Sequence, residues 1–156
     1  MAEPFILRAE QRIPRPLDEV FEFFSRAENL ERITPPWLNF RIRSVQPSPI
    51  KEGTLIRYTL HWRIFPIWWT TRIEMWEPPY RFVDLQLRGP YSLWHHEHRF
   101  QAIPGGTLMN DEVRYRLPFG ALGRLVHGLL VRQEVESIFD YRRQAVEDVF
   151  GCWPST

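Results

Sequence analysis

Apolar and polar residues alternate loosely along Phe5-Ile6-Leu7-Arg8-Ala9-Glu10-Gln11-Arg12-Ile13, which predicts a strand that Pro14 and Pro16 bring to an end. Beyond them Leu17, Val20, Phe21 and Phe24 fall at the i, i+3, i+4 and i+7 positions of one helix face, with Asp18 and Glu19 at the positive end of the helix dipole. A second short helix is predicted over Ala27 to Ile33 and is stopped by Thr34-Pro35-Pro36. From residue 39 the period changes to two. Six further strands are predicted: Phe40 to Val45, Thr54 to Trp62, Trp68 to Glu77, Arg81 to Arg88, Leu93 to Ala102 and Thr107 to Leu117. The segments between them, Lys51-Glu52-Gly53, Phe65-Pro66, Pro78-Pro79, Gly89-Pro90 and Pro104-Gly105-Gly106, carry the turn chemistry of antiparallel hairpins.

Phe119 to Phe150 is predicted as one long helix whose two halves differ. The second half places Val131, Val135, Ile138, Phe139, Ala145, Val146 and Val149 on one side. The first half is apolar almost all round and carries Gly120, Gly123 and Gly128, each costing about 1 kcal/mol of helix propensity, so it should be the softer half. One strand, two short helices, six strands and a long helix give an α+β domain over residues 1–150 with a short tail at 151–156. The sheet must curl around the helix, and one helix cannot fill so concave a face, so an internal cavity is expected.

Strand alternation also predicts which side chains face that cavity. With the charged sets outside, Trp94, His96, His98 and Phe100 face inward beside Met109, Asp111, Val113 and Tyr115. The turn at Pro104-Gly105-Gly106 pairs these two strands so that His98 approaches Asp111 and His96 approaches Val113. By the same alternation Trp69, Thr71, Ile73 and Met75 point inward, as do Tyr58, Leu60 and Trp62, and Phe82, Asp84 and Gln86. A buried carboxylate or imidazole is costly unless bonded, so the inner polar groups must meet each other, water or a ligand.

Composition narrows the function. Seven Trp among 156 residues exceed what packing alone requires, and indole rings often line sites for flat or apolar ligands. A net charge of +1 supplies no field to attract nucleic acid or an anionic membrane. The lone Cys152 suggests a reducing compartment, the first residues lack the pattern of a signal peptide, and no apolar run approaches about 18 residues, so a cytoplasmic protein without a membrane span is expected.

Several motifs resemble the START-like, Bet v 1-like superfamily, which includes the polyketide cyclase/dehydrase group. They are Pro16-Leu17-Asp18-Glu19-Val20-Phe21-Glu22-Phe23-Phe24, Asn29-Leu30 with Ile33-Thr34-Pro35-Pro36, Gly53-Thr54-Leu55-Ile56, and Glu77-Pro78-Pro79-Tyr80-Arg81-Phe82-Val83-Asp84. To these add Gly89-Pro90-Tyr91 with Trp94-His95-His96-Glu97-His98-Arg99-Phe100, Gly105-Gly106-Thr107 with Asp111, and Tyr115-Arg116-Leu117-Pro118-Phe119-Gly120. The resemblance spans nearly the whole chain and is to a bacterial branch. It implies the helix-grip fold and the binding of lipids, sterols, polyketides or other apolar metabolites. The superfamily shares no single catalytic motif, so it transfers no catalytic residue.

The expected ligand-binding residues are Tyr58, Trp62, Trp69, Asp84, Gln86, Trp94, His96, His98, Asp111, Tyr115, Leu122 and Val126, with a small hydrophobic molecule as the partner. The soft segment Gly120 to Leu130 and the loop Thr34 to Leu38 would gate entry. As an alternative, His98 and Asp111 could act as a catalytic acid-base pair on a polyketide-like substrate. His96, His98 and Asp111 also have the types of a two-histidine, one-carboxylate metal site, yet the stronger zinc spacings are missing, so neither metal nor other cofactor is expected. Arginines interleaved with aromatics, as in Val113-Arg114-Tyr115-Arg116, fit a solvated outer sheet face better than a nucleic-acid surface. A third reading, suggested by the apolar first half of the long helix, is a surface for a partner protein or a membrane.

Overall fold

In the computed structural model, which describes residues 2–155, seven strands form one antiparallel sheet in the order β1-β7-β6-β5-β4-β3-β2. The ends of the expected domain and tail, Met1 and Thr156, lie outside the described residues. The strands are β1 (Phe5–Ile13), β2 (Arg41–Gln46), β3 (Leu55–Trp62), β4 (Phe65–Glu77), β5 (Arg81–Arg88), β6 (Leu93–Ile103) and β7 (Gly106–Arg116). After β1 come α1 (Leu17–Phe24), a turn of 3-10 helix, α2 (Leu30–Ile33) and a second 3-10 turn over Pro36–Leu38. The C-terminal helix runs from Gly120 to Phe150 as α3 (Gly120–Val126), a π-helical turn (His127–Val131) and α4 (Arg132–Phe150). This is the helix-grip arrangement, α+β in class, that the order of elements predicts.

The π-helical turn falls in the glycine-bearing half, where helix propensity is weakest. It is nonetheless pinned to the sheet. His127 stacks on Phe5 at 3.4 Å between ring centroids, and its Nε2 lies 2.7 Å from the Tyr115 hydroxyl. Burial, then the nearby Arg132 charge, hold the His127 imidazole below its usual pKa, which keeps it neutral.

Two details depart from the predicted pattern. Phe65-Pro66 is not a turn but the start of β4; the hairpin loop is Arg63-Ile64, with Trp62 opposite Phe65 and Arg63 at φ 57. Pro66 is tolerated there because β5 first pairs with β4 at Thr70, so the missing N–H breaks no ladder on that side. The second departure is a register shift between Ile73 and Met75 of β4. Past that bulge the alternation is reversed: Trp76 rather than Met75 turns inward, and Met75 lies opposite Val83.

The first strand closes the sheet beside β7, with Phe5 opposite Tyr115 and Ile13 opposite Thr107. Where β7 begins, a Cβ on Gly106 would stand 2.1 Å from the Ile13 carbonyl oxygen, so only glycine fits that approach. The main core gathers α1, the end of α4 and the adjoining strand ends: Val20, Phe21, Phe24, Phe82, Phe100 and Val146 are buried together. A second cluster around Val113, Tyr115 and Val135 fills the other end, and a third forms around Ala27, Ile56 and Ile73. Between them the curled sheet and the helix leave a hollow.

Candidate functional site

The hollow has a volume of about 380 Å³, within the size range of small-molecule sites. Its walls come from the concave faces of β3, β4, β5 and β6, from α2 and the Thr34 to Leu38 loop, and from one side of the C-terminal helix. The lining is dominated by rings and aliphatic chains. Trp69 is central: it packs edge-on to Trp94 and Tyr91, stacks with Tyr58, and donates its Nε1–H to the Thr71 hydroxyl at 3.1 Å.

One wall is polar. Because β5, β6 and β7 are neighbours, the register sets His96 opposite Asp84 on one side and Val113 on the other, while His98 lies opposite Phe82 and Asp111. Asp111 Oδ1 is 2.8 Å from His96 Nε2 and 2.8 Å from His98 Nδ1. Asp84 Oδ2 is 2.8 Å from His98 Nε2 and 3.9 Å from His96 Nδ1. The guanidinium of Arg142, on α4, lies over the Phe24 ring and places Nη2 3.8 Å from Asp111 Oδ1.

The protonation of this cluster follows from who can donate. His98 lies between two carboxylates, with Nε2 donating to Asp84 and Nδ1 2.8 Å from Asp111 Oδ1, an arrangement that favours its imidazolium form. Burial alone would pull the His98 pKa down, but its hydrogen bonds to Asp111 and Asp84 and their charges outweigh that and raise it. Burial would push Asp111 up, yet Arg142 and the two histidines hold it well below the usual carboxylate range. Asp84 is likewise lowered against the effect of burial, by the His98 hydrogen bond and the surrounding positive charges. His96 donates Nε2–H to Asp111; burial and the His98 charge push its pKa down, so it stays neutral with Nδ1 lying beyond hydrogen-bond reach of Asp84. With His98 protonated, it and Arg142 balance the two carboxylates.

Of the residues expected to contact a ligand, Tyr58, Trp62, Trp69, Asp84, Trp94, His96, His98 and Val126 line the cavity. His98 and Asp111 are brought together, but Asp111 lies behind the histidines rather than in the wall. Gln86 is used elsewhere: its amide donates to the Tyr91 carbonyl at 2.7 Å and accepts from the Tyr91 N–H, bracing the β5–β6 turn. Tyr115 is turned to His127 and packs in the core beside Val113. Leu122, one turn before Val126, is 62% exposed and lies outside the cavity.

Sequence reasoning missed Arg142, Trp76, Tyr91, Phe139 and Glu134, all of which line the cavity. For Arg142 a signal existed. It continues the stripe Val131, Val135, Ile138 at helical spacing, so a cation stands on the apolar face of the helix, which requires a buried partner.

A family model described as polyketide cyclase / dehydrase and lipid transport matches residues 13–139. No curated protein matches the sequence. Among solved structures, protein CV1439 from Chromobacterium violaceum is 9% identical, with a TM-score of 0.74 over 96% of this chain and 98% of its own. Ara h 8.0201 is 17% identical, with a TM-score of 0.61 over 93% of this chain and 99% of its own. The Zhui aromatase/cyclase from Streptomyces sp. R1128 is 15% identical, with a TM-score of 0.66 over 94% of this chain and 96% of its own. At such identities these likenesses concern the fold. The family match covers most of the chain, and with it the concave wall and its polar cluster: this chain belongs to the polyketide cyclase/dehydrase and lipid transport family, with the START-like, Bet v 1-like fold.

Proposed function

We propose that the protein binds a small hydrophobic molecule in the cavity between sheet and C-terminal helix, with the Asp84, His96 and His98 wall orienting a carbonyl or hydroxyl of that ligand. The observation that carries this reading is the hollow itself: about 380 Å³ lined mainly by aromatic and aliphatic side chains, with Asp84, His96 and His98 gathered on one wall. The family description supports the same ligand class. Entry would use the Thr34 to Leu38 loop and the π-helical turn, because Thr34, Leu38 and Val131 all border the cavity. Among the described residues no helix is long and apolar enough to cross a membrane. The exposed lone thiol of Cys152 fits a reducing, cytoplasmic setting.

Anilinonaphthalene sulfonate, followed by its own emission and by tryptophan quenching, is expected to bind at one site per chain. Leu60→Trp, which puts an indole into the cavity wall, should weaken that binding about tenfold or more, equivalent to about 1.4 kcal/mol. Equal affinity in a folded Leu60→Trp variant would place the probe elsewhere and remove the support for an internal site.

A second reading is favoured by the unequal pair on β6. His96, whose pKa burial and the His98 charge lower, and His98, whose pKa Asp111 and Asp84 raise, have ring centroids 3.7 Å apart, and both border the cavity. Environments that drive two neighbouring groups to opposite protonation states suit a base and an acid in one step. His96 would take an α-proton from a polyketone, the enolate carbon so formed would bond to a second carbonyl carbon, and His98 would protonate the oxygen of that carbonyl as its C=O π bond opens to a hydroxyl, which then leaves as water with a further α-proton. The aromatase/cyclase likeness fits this chemistry. With a cyclisable polyketone, His96→Gln should lower turnover at least about a hundredfold while leaving ligand affinity within a few-fold. Turnover by wild type no faster than the uncatalysed reaction would eliminate the catalytic reading while leaving the binding reading intact.

A further inference from the structure

We propose that Asp84, His96 and His98 form a site for one divalent first-row transition metal, open to the cavity and braced from behind by Asp111. The donor atoms of these three residues all lie within 4.8 Å of one another. Around a single ion, ligand atoms bonded at about 2.0–2.2 Å stand roughly 3.3 Å apart. The separations of Asp84 Oδ2 from His98 Nε2 and His96 Nδ1, 2.8 and 3.9 Å, bracket that value. All three residues border the cavity, so coordination positions opposite them face the hollow.

The arrangement behind the histidines is what distinguishes this cluster from an ordinary buried polar network. Asp111 Oδ1 receives the rear nitrogen of each ring, His96 Nε2 and His98 Nδ1, both at 2.8 Å. One carboxylate therefore fixes both tautomers with N–H backward and the remaining nitrogen forward, the outer-shell device that orients metal-binding histidines. Arg142 also stands behind: its Nη2 is 3.8 Å from Asp111 Oδ1 and 3.5 Å from His98 Nδ1, so it offsets Asp111. Strand spacing alone offered Asp111 as the carboxylate ligand; the structure puts Asp111 in the rear and Asp84 in front.

Without metal, a proton on His98 Nε2 bridges to Asp84. Metal entry displaces that one proton, forming a His98 Nε2–metal bond and releasing H⁺ to solvent. Two imidazoles and one carboxylate suit iron, cobalt or zinc in the divalent state better than calcium or magnesium, which prefer all-oxygen shells. The free positions would hold water or an oxygen of the bound molecule.

Chelator-stripped protein titrated with Zn²⁺ alone by calorimetry should bind one equivalent in or below the micromolar range, with proton release. Titrated with Co²⁺ it should develop visible d–d absorption. Asp84→Asn should weaken Zn²⁺ binding at least about 100-fold and Asp111→Asn by about 10–100-fold, while His61→Ala, at a histidine away from the cluster, should change nothing. Should the aspartate variants fail to fold, wild type still decides: Zn²⁺ must shift the imidazole resonances of His96 and His98 and not that of His61. Folded wild type showing no saturable binding up to millimolar Zn²⁺, or an Asp84→Asn variant as tight as wild type, overturns the proposal.

Discussion

Replacing Asp111 with alanine is expected to cost the fold about 3–5 kcal/mol, the range for removing one partner of a buried ionic group. The side chain is 7% exposed, accepts hydrogen from His96, and lies 2.8 Å from His98 Nδ1 while facing Arg142. Without it, the Arg142 charge loses its nearest carboxylate in a low-dielectric wall, and the His96 Nε2–H loses its acceptor. The loss should appear as a lower midpoint in urea denaturation. The contrast is Glu112→Ala at the adjacent outward position. Glu112 is paired with Arg8 and Arg114 on the solvent face, and removing it should cost about 1 kcal/mol or less. An Asp111→Ala protein within 1 kcal/mol of wild type would mean, on the same scale, that the cluster contributes nothing to holding the sheet face together.

Phe100→Ala should destabilise the chain by a similar amount, about 3–5 kcal/mol, for a different reason. The ring is 3% exposed and is enclosed by Phe21 at 5.5 Å, Phe24 at 5.6 Å and Phe82 at 6.0 Å between centroids. It joins β6 to α1, so its removal leaves a void that neither a strand nor a helix can shift to close. Thermal or chemical unfolding measures the loss directly. A cost under 1 kcal/mol would mean that this end of the molecule is loosely filled, contrary to the ring packing described. The same variant should leave the probe affinity of the cavity nearly unchanged, because Phe100 belongs to the closed core and does not border the hollow.

Much of this architecture is legible in the sequence, for a physical reason: a half-buried strand must alternate. On β6 and β7 the charged and apolar sets separate cleanly, and the register that puts His98 beside Asp111 follows from the Pro104-Gly105-Gly106 turn. What alternation cannot show is a bulge. Nothing in Ile73-Glu74-Met75-Trp76 marks the register shift, since both Met75 and Trp76 are apolar enough to face inward. Gln86 is on the expected face of β5, but a side chain that can reach a nearby backbone satisfies itself there, and a polarity pattern does not reveal that choice. Tyr115 likewise has its hydroxyl claimed by His127, twelve residues on, whose position depends on the π-helical turn. Asp84 as the second partner of His98 needed the β5–β6 register, for which the Gly89-Pro90 connection gave no firm count. Leu122 fails because a helix with apolar residues all round offers no face to choose from.

The pairing of the first strand with the last has a consequence for synthesis on the ribosome. Among the described residues, Phe5–Ile13 finds its only strand neighbour in Gly106–Arg116, about a hundred residues later, which at about 5–20 residues per second means a wait of roughly 5–20 s. During that interval its ladder groups are free to meet those of another nascent chain. Arg8, Glu10 and Arg12, charged at every second position, are the safeguard on that waiting edge.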